Sequence, residues 1–271
     1  SYISADGPLV IAIDSSTTST KAIVVDTQGN VISLGRREIA LLSPEQGFGE
    51  HDPRQWWTST REAVGEAVGK LTPAEKERIA AFGITHQRES FAPFTADGTP
   101  LRNGILWLDI RAADQVQRYG TPEIHALSGR PADVTPGLYK MAWLKENEPE
   151  SLAKADKVTT VSAYIAFCLT GKWVDSAACA DSLSLSNIKT LEYDDGLLQI
   201  AGVRREQMAD LVKPGQVLGT LKKSVAEEWG IGEIPIIAGC GDGQAAGVGA
   251  AAVTPDVAYL NMGTAVVAGV P

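Results

Sequence analysis

Asp14 closes an apolar run, PLVIAID, and six hydroxyl residues follow it: Ser15, Ser16, Thr17, Thr18, Ser19 and Thr20, with Lys21 behind them. Hydroxyls and backbone N–H groups gathered in one turn can donate to phosphate oxygens, and Lys21 adds a point charge. A solvated polar hairpin accounts for the same residues. A second carboxylate, Asp242, stands in IPIIAGCGDGQAAGVGAAA between Gly241 and Gly243, with Gly239 close by. Glycines there let backbone or ligand approach closely and permit positive φ. The alternative is a tight turn whose Asp caps the following helix. A third piece is Gly263–Thr264 in NMGTAVV, again with N–H and hydroxyl donors, which an ordinary hairpin would also supply.

The elements that must hold these residues can be read from pattern. PLVIAID, KAIVVD and VISLGRREIAL, joined by tight turns, predict a three-stranded antiparallel meander. A helix should follow EHDP, with Asp52 as N-cap, Pro53 in the first position and Gln55 completing a capping box. Its buried stripe would be Trp56, Ala63, Val64, Ala67, Val68 and Leu71. IAAFGIT, from Ile79 to Thr85, reads as a further strand, and SFAPFTADGTPLRNGILWLD as a hairpin turning at Asp97–Gly98. Residues from about 110 to 230 are richer in helical pattern, for example YKMAWLKENEPESLAKA and SAYIAFCLTG. IPIIAGCGD returns to strand, GQAAGVGAAA to helix, and DVAYLNMGTAVVAGVP to a strand pair. The mix is α/β. The chain stops at Pro271 directly after an apolar strand, which predicts a partial chain.

Composition removes several function classes. With 24 basic against 33 acidic residues and a formal charge of −9, the chain is a poor binder of nucleic acid or anionic membrane. Any phosphate must be held by local geometry. Cys168, Cys179 and Cys240 are widely spaced, which predicts reduced thiols and a cytoplasmic protein. His51, His86 and His125 are scattered, so no zinc site is expected. No stretch reaches the roughly 18 apolar residues of a membrane span. The motifs of P-loop proteins and protein kinases are absent, and Gly241 and Gly243 do not complete a G-x-G-x-x-G because the next glycine is Gly247.

Two strand-end carboxylates and two hydroxyl/glycine hairpins resemble the phosphate-binding layout of the actin-like ATPase and sugar-kinase superfamily. Further segments narrow the resemblance: FGEHDPRQWW before the first helix, GITHQRES with adjacent Arg88 and Glu89, and ILWLDIR with Trp107 and Asp109. With AIDSSTTSTKAIVVD and GCGDGQAAGVGA, in this order, they resemble the N-terminal half of the FGGY family of carbohydrate kinases. The resemblance implies an actin-like (ribonuclease H-like) α/β domain, a mixed sheet flanked by helices. It implies phosphorylation of a hydroxyl on a ketose or polyol with ATP and Mg²⁺. Residues 1–271 would be the N-terminal sugar-binding domain, lacking the second, nucleotide-binding domain, so the isolated chain should turn over poorly. By the same resemblance Asp242 is the general base and, with Asp14, serves the metal. Thr17, Thr18, Lys21, Gly263 and Thr264 serve the nucleotide phosphates, and Arg88, Glu89, Trp107, Asp109 and Asp242 bind substrate. Expected partners are ATP and a small sugar or polyol, with no nucleic acid and no membrane, and with a homodimer as the assembly allowed for.

The resemblance is mixed as to the sugar. THQRES is similar to glycerol kinases, while ILWLDIR and TPGLYKMAWL are similar to xylulose kinases. A glycerol-kinase tyrosine that closes over substrate is matched here by Gly137, and the residue after the base is Gly243, without a side chain. Both departures predict a roomier pocket and favour a xylulose-type pentulose over glycerol. An ion pair at a strand end is the plain alternative for Arg88–Glu89. An actin- or Hsp70-like ATPase without a small-molecule substrate would explain the phosphate segments, but leaves Arg88, Glu89, Trp107 and Asp109 without a task.

Overall fold

Leu9, Ile11 and Ile13 are buried and alternate with half-buried Val10, Ala12 and Asp14 along strand β1 (Leu9–Ser15). That period of two places one row in the core and sends Asp14 to the opposite face. In the computed structural model, which describes residues 7–249, 254, 259–262 and 266–269, β1 pairs antiparallel with β2 (Ser19–Val25), and β2 with β3 (Val31–Glu38). The meander read from the sequence is thus present.

The helix after EHDP runs Arg54–Gly69 and packs on β2 and β3. Trp56, Ala63, Val64, Ala67 and Val68 are buried on one face, and Leu71 just beyond it, as the apolar period requires. Its start differs from the expectation. Pro53 is the cap residue, and no capping box forms. Asp52 Oδ1 accepts from Arg54 N (3.0 Å), while Gln55 turns away to accept from Ala40 N (2.9 Å). Gln55 serves the strand-to-helix connection because its side chain is long enough to reach it.

A short β4 (Glu50–His51) precedes this helix, and β5 (Ile79–His86) follows it. The hairpin of β6 (Phe91–Phe94) and β7 (Gly104–Ile105) turns at Asp97–Gly98, with Gly98 at φ +87°. Together with β8 (Lys157–Thr160) these make a small sheet of order β4-β7-β6-β8. Next come β9 (Val174–Ser176), β10 (Asp210–Val212), β11 (Val217–Thr220) and β12 (Pro235–Ile237). A final pair is β13 (Tyr259–Met262) and β14 (Val266–Gly269). Gly263 and Thr264 lie outside the described residues.

The main sheet has the order β11-β12-β5-β1-β2-β3 and is mixed. β1, β5 and β12 run parallel, and the outer pairs antiparallel. One core lies between this sheet and the Arg54–Gly69, Val161–Thr170 and Lys223–Trp229 helices, and includes Trp56, Phe82, Ile165 and Trp229. A second gathers Phe91, Ile105, Leu138, Met141 and Leu144 around the Gly137–Asn147 helix. The consequence for function is directional. Three parallel strands end at one edge, and open α/β sheets bind ligands beyond the carboxyl ends of their strands. Asp14 closes β1, Arg88 follows β5, and Asp242 begins the Asp242–Gly249 helix after β12. An isolated bridge between His86 and Gly241 prolongs the β5–β12 pairing toward Asp242.

Candidate active site

The turn between β1 and β2 places Asp14 opposite Lys21 and Ser15 opposite Thr20. Strand alternation then divides the hydroxyl run. Ser15, Thr17, Ser19 and Thr20 are buried, and Thr20 shares a hydrogen bond with Ser59 (2.7 Å). Ser16 Oγ donates to Ser19 O (2.7 Å). Only Thr18 and Lys21 are left exposed, so this turn offers fewer free hydroxyl donors than six in a row suggest. Thr17 is an anchor. Its hydroxyl accepts from Trp107 Nε1 (2.9 Å), and its carbonyl accepts from His51 Nε2 (2.8 Å). Trp56 Nε1 donates to His51 Nδ1 (2.9 Å), which places the imidazole proton on Nε2. Burial pulls the His51 pKa down to about 4, so the ring is neutral near pH 7.

Asp14 and Asp242 form the acidic pair. Burial pushes the Asp14 carboxyl up, the charge of Asp242 adds to this, and Lys21 opposes it. Asp14 Oδ1 is buried without a hydrogen-bond partner. So is the hydroxyl of Thr85, the register partner of Asp14 on β5. Asp242 is exposed as a residue, yet the protein around its carboxyl thins the water there and pushes its pKa up. The Gly243 N–H (2.7 Å to Oδ1) and Arg88 oppose that shift. Two repelling carboxylates beside an orphaned hydroxyl are hard oxygen donors of the kind Mg²⁺ takes while keeping several waters. The described residues hold no cluster of three His, Cys, Asp or Glu able to bind a metal by protein alone. The all-oxygen donor set of Asp14, Asp242 and Thr85 fits the chemistry of Mg²⁺.

Arg88 and Glu89 are neighbours in sequence but part company in space. Arg88 Nη2 pairs with Asp181 Oδ1 (2.5 Å), and its Nε is buried without a partner. Glu89 Oε1 accepts from Arg130 Nη2 (2.6 Å), and the Glu89 N–H donates to Ser182 Oγ (3.1 Å). They are not an ion pair with each other. Burial pushes the Glu89 carboxyl up against the pull of Arg130 and Arg88. Glu89 holds φ +64°, a left-handed conformation uncommon for a residue with a side chain. Strain of this kind persists where the surroundings over-determine it, and it concentrates at functional sites.

The glycines around Asp242 serve two ends. A Cβ on Gly241 would lie 2.1 Å from Arg88 Cδ, and one on Gly239 would lie 2.2 Å from Ile84 O. These two are small so that Arg88 and β5 can close on the strand end, not to admit a ligand. Gly243 instead donates its N–H to Asp242 Oδ1 (2.7 Å). Gly137 also departs from expectation. It is buried, and a Cβ there would meet Leu183 Cδ2 at 2.7 Å, so its lack of a side chain serves packing and does not enlarge a pocket.

Trp107 stands between the two halves of the site, half-buried, with its N–H donating to Ser90 Oγ (3.1 Å) and its indole to Thr17. Asp109 is different. It is fully buried, and its oxygens accept from Gly49 N (2.7 Å), Arg111 N (2.9 Å) and Arg111 Nε (3.0 Å). Arg111 in turn pairs with Glu50 (2.7 Å). The structure does not bring Asp109 to the cleft surface. It braces the loop that carries Trp107. Gly263 and Thr264, expected at the phosphates, lie outside the described residues. Sequence reasoning missed His51, Thr85, Arg130, Asp181 and Lys140. His51 stood inside the quoted EHDP segment, whereas Arg130 and Asp181 carry no local signal, since only the fold brings them to Glu89 and Arg88.

A model of the N-terminal domain of the FGGY family of carbohydrate kinases matches residues 9–249. The chain belongs to that family. Among curated FGGY relatives, the glycerol kinase of Thermococcus gammatolerans is 34% identical over 263 residues, covering 94% of this chain and 52% of its own. The ligand-bound xylulose kinase from Lactobacillus acidophilus superposes with a TM-score of 0.89 at 29% identity, over 96% of this chain and 53% of that one. The Plasmodium falciparum glycerol kinase, solved with ADP, gives a TM-score of 0.87 at 25% identity, over 96% and 53%. The FGGY chain described here thus spans about half the length of the curated relatives it matches, and its fold is the actin-like ATPase fold of these sugar kinases.

Proposed function

We propose that the full protein transfers the γ-phosphoryl group of ATP to a hydroxyl of a ketose or polyol, with a xylulose-type pentulose as the first candidate. The meeting of Asp14 and Asp242 at the ends of parallel strands, beside an Arg88–Glu89 pair held apart by outside partners, carries this reading. Residues 1–271 are the sugar-binding domain in this proposal, and the adenine pocket belongs to a second domain. The three unpaired cysteines fit a reducing, cytoplasmic setting.

Asp242 is the base. It takes the proton of the acceptor hydroxyl as that oxygen bonds to phosphorus and the bond to the leaving ADP oxygen breaks. Burial raises the Asp242 carboxyl, which makes it a stronger proton acceptor. Asp14 holds the metal side with Thr85 beneath it. Bound there, Mg²⁺ would offset the charge of the phosphoryl group in transfer. Thr18 and Lys21 face the phosphates, with Thr17 anchoring their turn. Arg88 offers its unpartnered Nε to one sugar oxygen. Glu89 offers the oxygen that Arg130 does not hold to a neighbouring hydroxyl, and Trp107 walls the pocket. Phosphoryl transfer depends mostly on positioning and charge stabilisation, and one placed carboxylate can suffice as base.

Glycerol is the second reading, favoured by the Arg88–Glu89 dipeptide. The likeness of ILWLDIR and TPGLYKMAWL to xylulose kinases supports the larger substrate. A coupled ADP-release screen of the full-length protein against polyols, pentuloses and hexuloses tests both. Turnover on a pentulose well above the sugar-free rate is expected. ATP hydrolysis indifferent to every sugar would replace this proposal with an actin- or Hsp70-like ATPase.

A further inference from the structure

Lys140 has no solvent exposure and lies in the first turn of the Gly137–Asn147 helix. A buried ammonium is costly unless its protons are all engaged. Here they are, and every acceptor is a main-chain carbonyl. Nζ donates to Leu106 O (2.7 Å), Trp107 O (3.1 Å) and Thr135 O (3.1 Å). Asp109 and Glu89 favour its charge at longer range, as does Asp133, while Arg111 opposes it, and burial pulls its pKa down to about 7. Methionine would fill the same volume without that desolvation. What methionine cannot supply is three donors to irregular backbone, where Leu106 O also accepts from Asp109 N (3.0 Å).

The three carbonyls belong to two separate segments. Leu106 and Trp107 follow β7, and Thr135 precedes the helix. Trp107 is held at two further points, its N–H by Ser90 Oγ and its indole by Thr17 on the phosphate turn. Ser90 Oγ itself donates to Gln87 Oε1 (3.0 Å), next to Arg88. Lys140 is thus the third clamp on a residue whose other two clamps reach the phosphate turn and the strand end that carries Arg88 and Glu89.

We propose that Lys140 is a positioning residue for the substrate wall: its three donated hydrogen bonds tie Trp107 and the 131–136 segment into the one arrangement that receives the sugar. Lys140 touches no substrate. Its loss should weaken sugar binding and leave the chemical step nearly intact. This rests on reading the cleft as a sugar or polyol kinase site, so one arm of the test must not depend on turnover.

The variant is Lys140→Gln in the full-length protein, whose amide offers two N–H donors in place of three. The sugar KM should rise about tenfold, as expected for losing a hydrogen bond from a charged donor. The kcat and the ATP KM should stay within about threefold. Hydrogen exchange, measured without sugar, should quicken in residues 104–110 and 131–136 and stay unchanged in the Arg54–Gly69 helix. If Lys140→Gln does not fold, Lys140→Arg keeps charge and donors but misplaces them, and the same readouts apply. A folded variant with unchanged sugar KM, with kcat lowered only in step with the folded fraction, overturns the proposal. So does unchanged exchange in both segments. If the wild-type protein phosphorylates no sugar, the kinase reading has failed, and the exchange arm still decides whether Lys140 holds the wall.

Discussion

The two walls of the cleft treat their polar atoms in opposite ways. On the Trp107 side, buried charges are fully paired: Asp109 with Arg111 and Gly49 N, Arg111 with Glu50, and Glu50 with Arg102. On the side of Asp14, polar atoms are buried without partners: Asp14 Oδ1, Thr85 Oγ1 and Arg88 Nε. Buried polar groups are ordinarily satisfied, so each orphan needs an explanation. A satisfied network is a scaffold. An unsatisfied one, gathered at strand ends beside two carboxyls with raised pKa, is what the proposed kinase site would use to take a ligand's oxygens. Residues of one type divide accordingly: Asp109 and Asp14 are both carboxylates, yet one braces a loop and the other faces the cleft.

This contrast can be broken most forcefully at Asp242. Asp242→Asn keeps the shape but cannot take a proton, and losing a general base costs about 10²–10⁴-fold in kcat. Steady-state kinetics should show that loss with sugar KM little changed. On the scaffold side, Arg111→Met leaves Asp109 and Glu50 buried without their shared cation. Breaking such a pair costs about 3–5 kcal/mol, visible in chemical denaturation, and the loss should be of stability before catalysis. A normal midpoint would deny that the Trp107 side is a scaffold.

Glu89→Ala sharpens the comparison, because Glu89 touches both categories. It would leave Arg130 and sugar hydroxyls unpartnered, costing on the order of 1–3 kcal/mol, read as a raised sugar KM with ATP KM unchanged. His51 links the halves and gives a pH signature. Its folded pKa is lowered to about 4 from 6.5, so the unfolded chain takes up a proton that the folded chain refuses. Stability from this group is full above pH 6.5 and is lost as pH falls toward 4. His51→Gln should show a smaller drop in melting temperature between pH 7 and pH 5 than the wild-type protein. The smallest effect is expected for Trp107→Phe, which keeps the ring wall and loses only the indole bond to Thr17. A net hydrogen bond contributes about 0.5–1.5 kcal/mol, so sugar KM should rise only several-fold.

The meander, the helix after EHDP and the strand ending near Arg88 were legible because strict alternation and a helical apolar stripe leave little choice of face. Asp14 and Asp242 were legible as strand-end carboxylates. Local sequence could not show where side chains turn once the strands pair. That concealed the burial of Ser15 and Thr20 within the hydroxyl run. The burial of Asp109 was hidden for a related reason. Its burial depends on Gly49 and Glu50, about sixty residues away in the chain, which β4–β7 pairing brings alongside. Glycines carry no record of what approaches them, so Gly241 and Gly137 resembled cleared space until Arg88 and Leu183 occupied it.

The central claim is that Asp14 serves the metal and phosphate side while Asp242 handles the proton. The most direct test is kcat of the full-length protein against Mg²⁺ concentration for Asp14→Asn and Asp242→Asn. A hard cation prefers a carboxylate oxygen to an amide, so Asp14→Asn should need much more Mg²⁺ and recover activity at saturation. Asp242→Asn should stay slow at every Mg²⁺ concentration. Recovery of Asp242→Asn by excess Mg²⁺, or a wild-type Mg²⁺ profile for Asp14→Asn, would contradict the assignment.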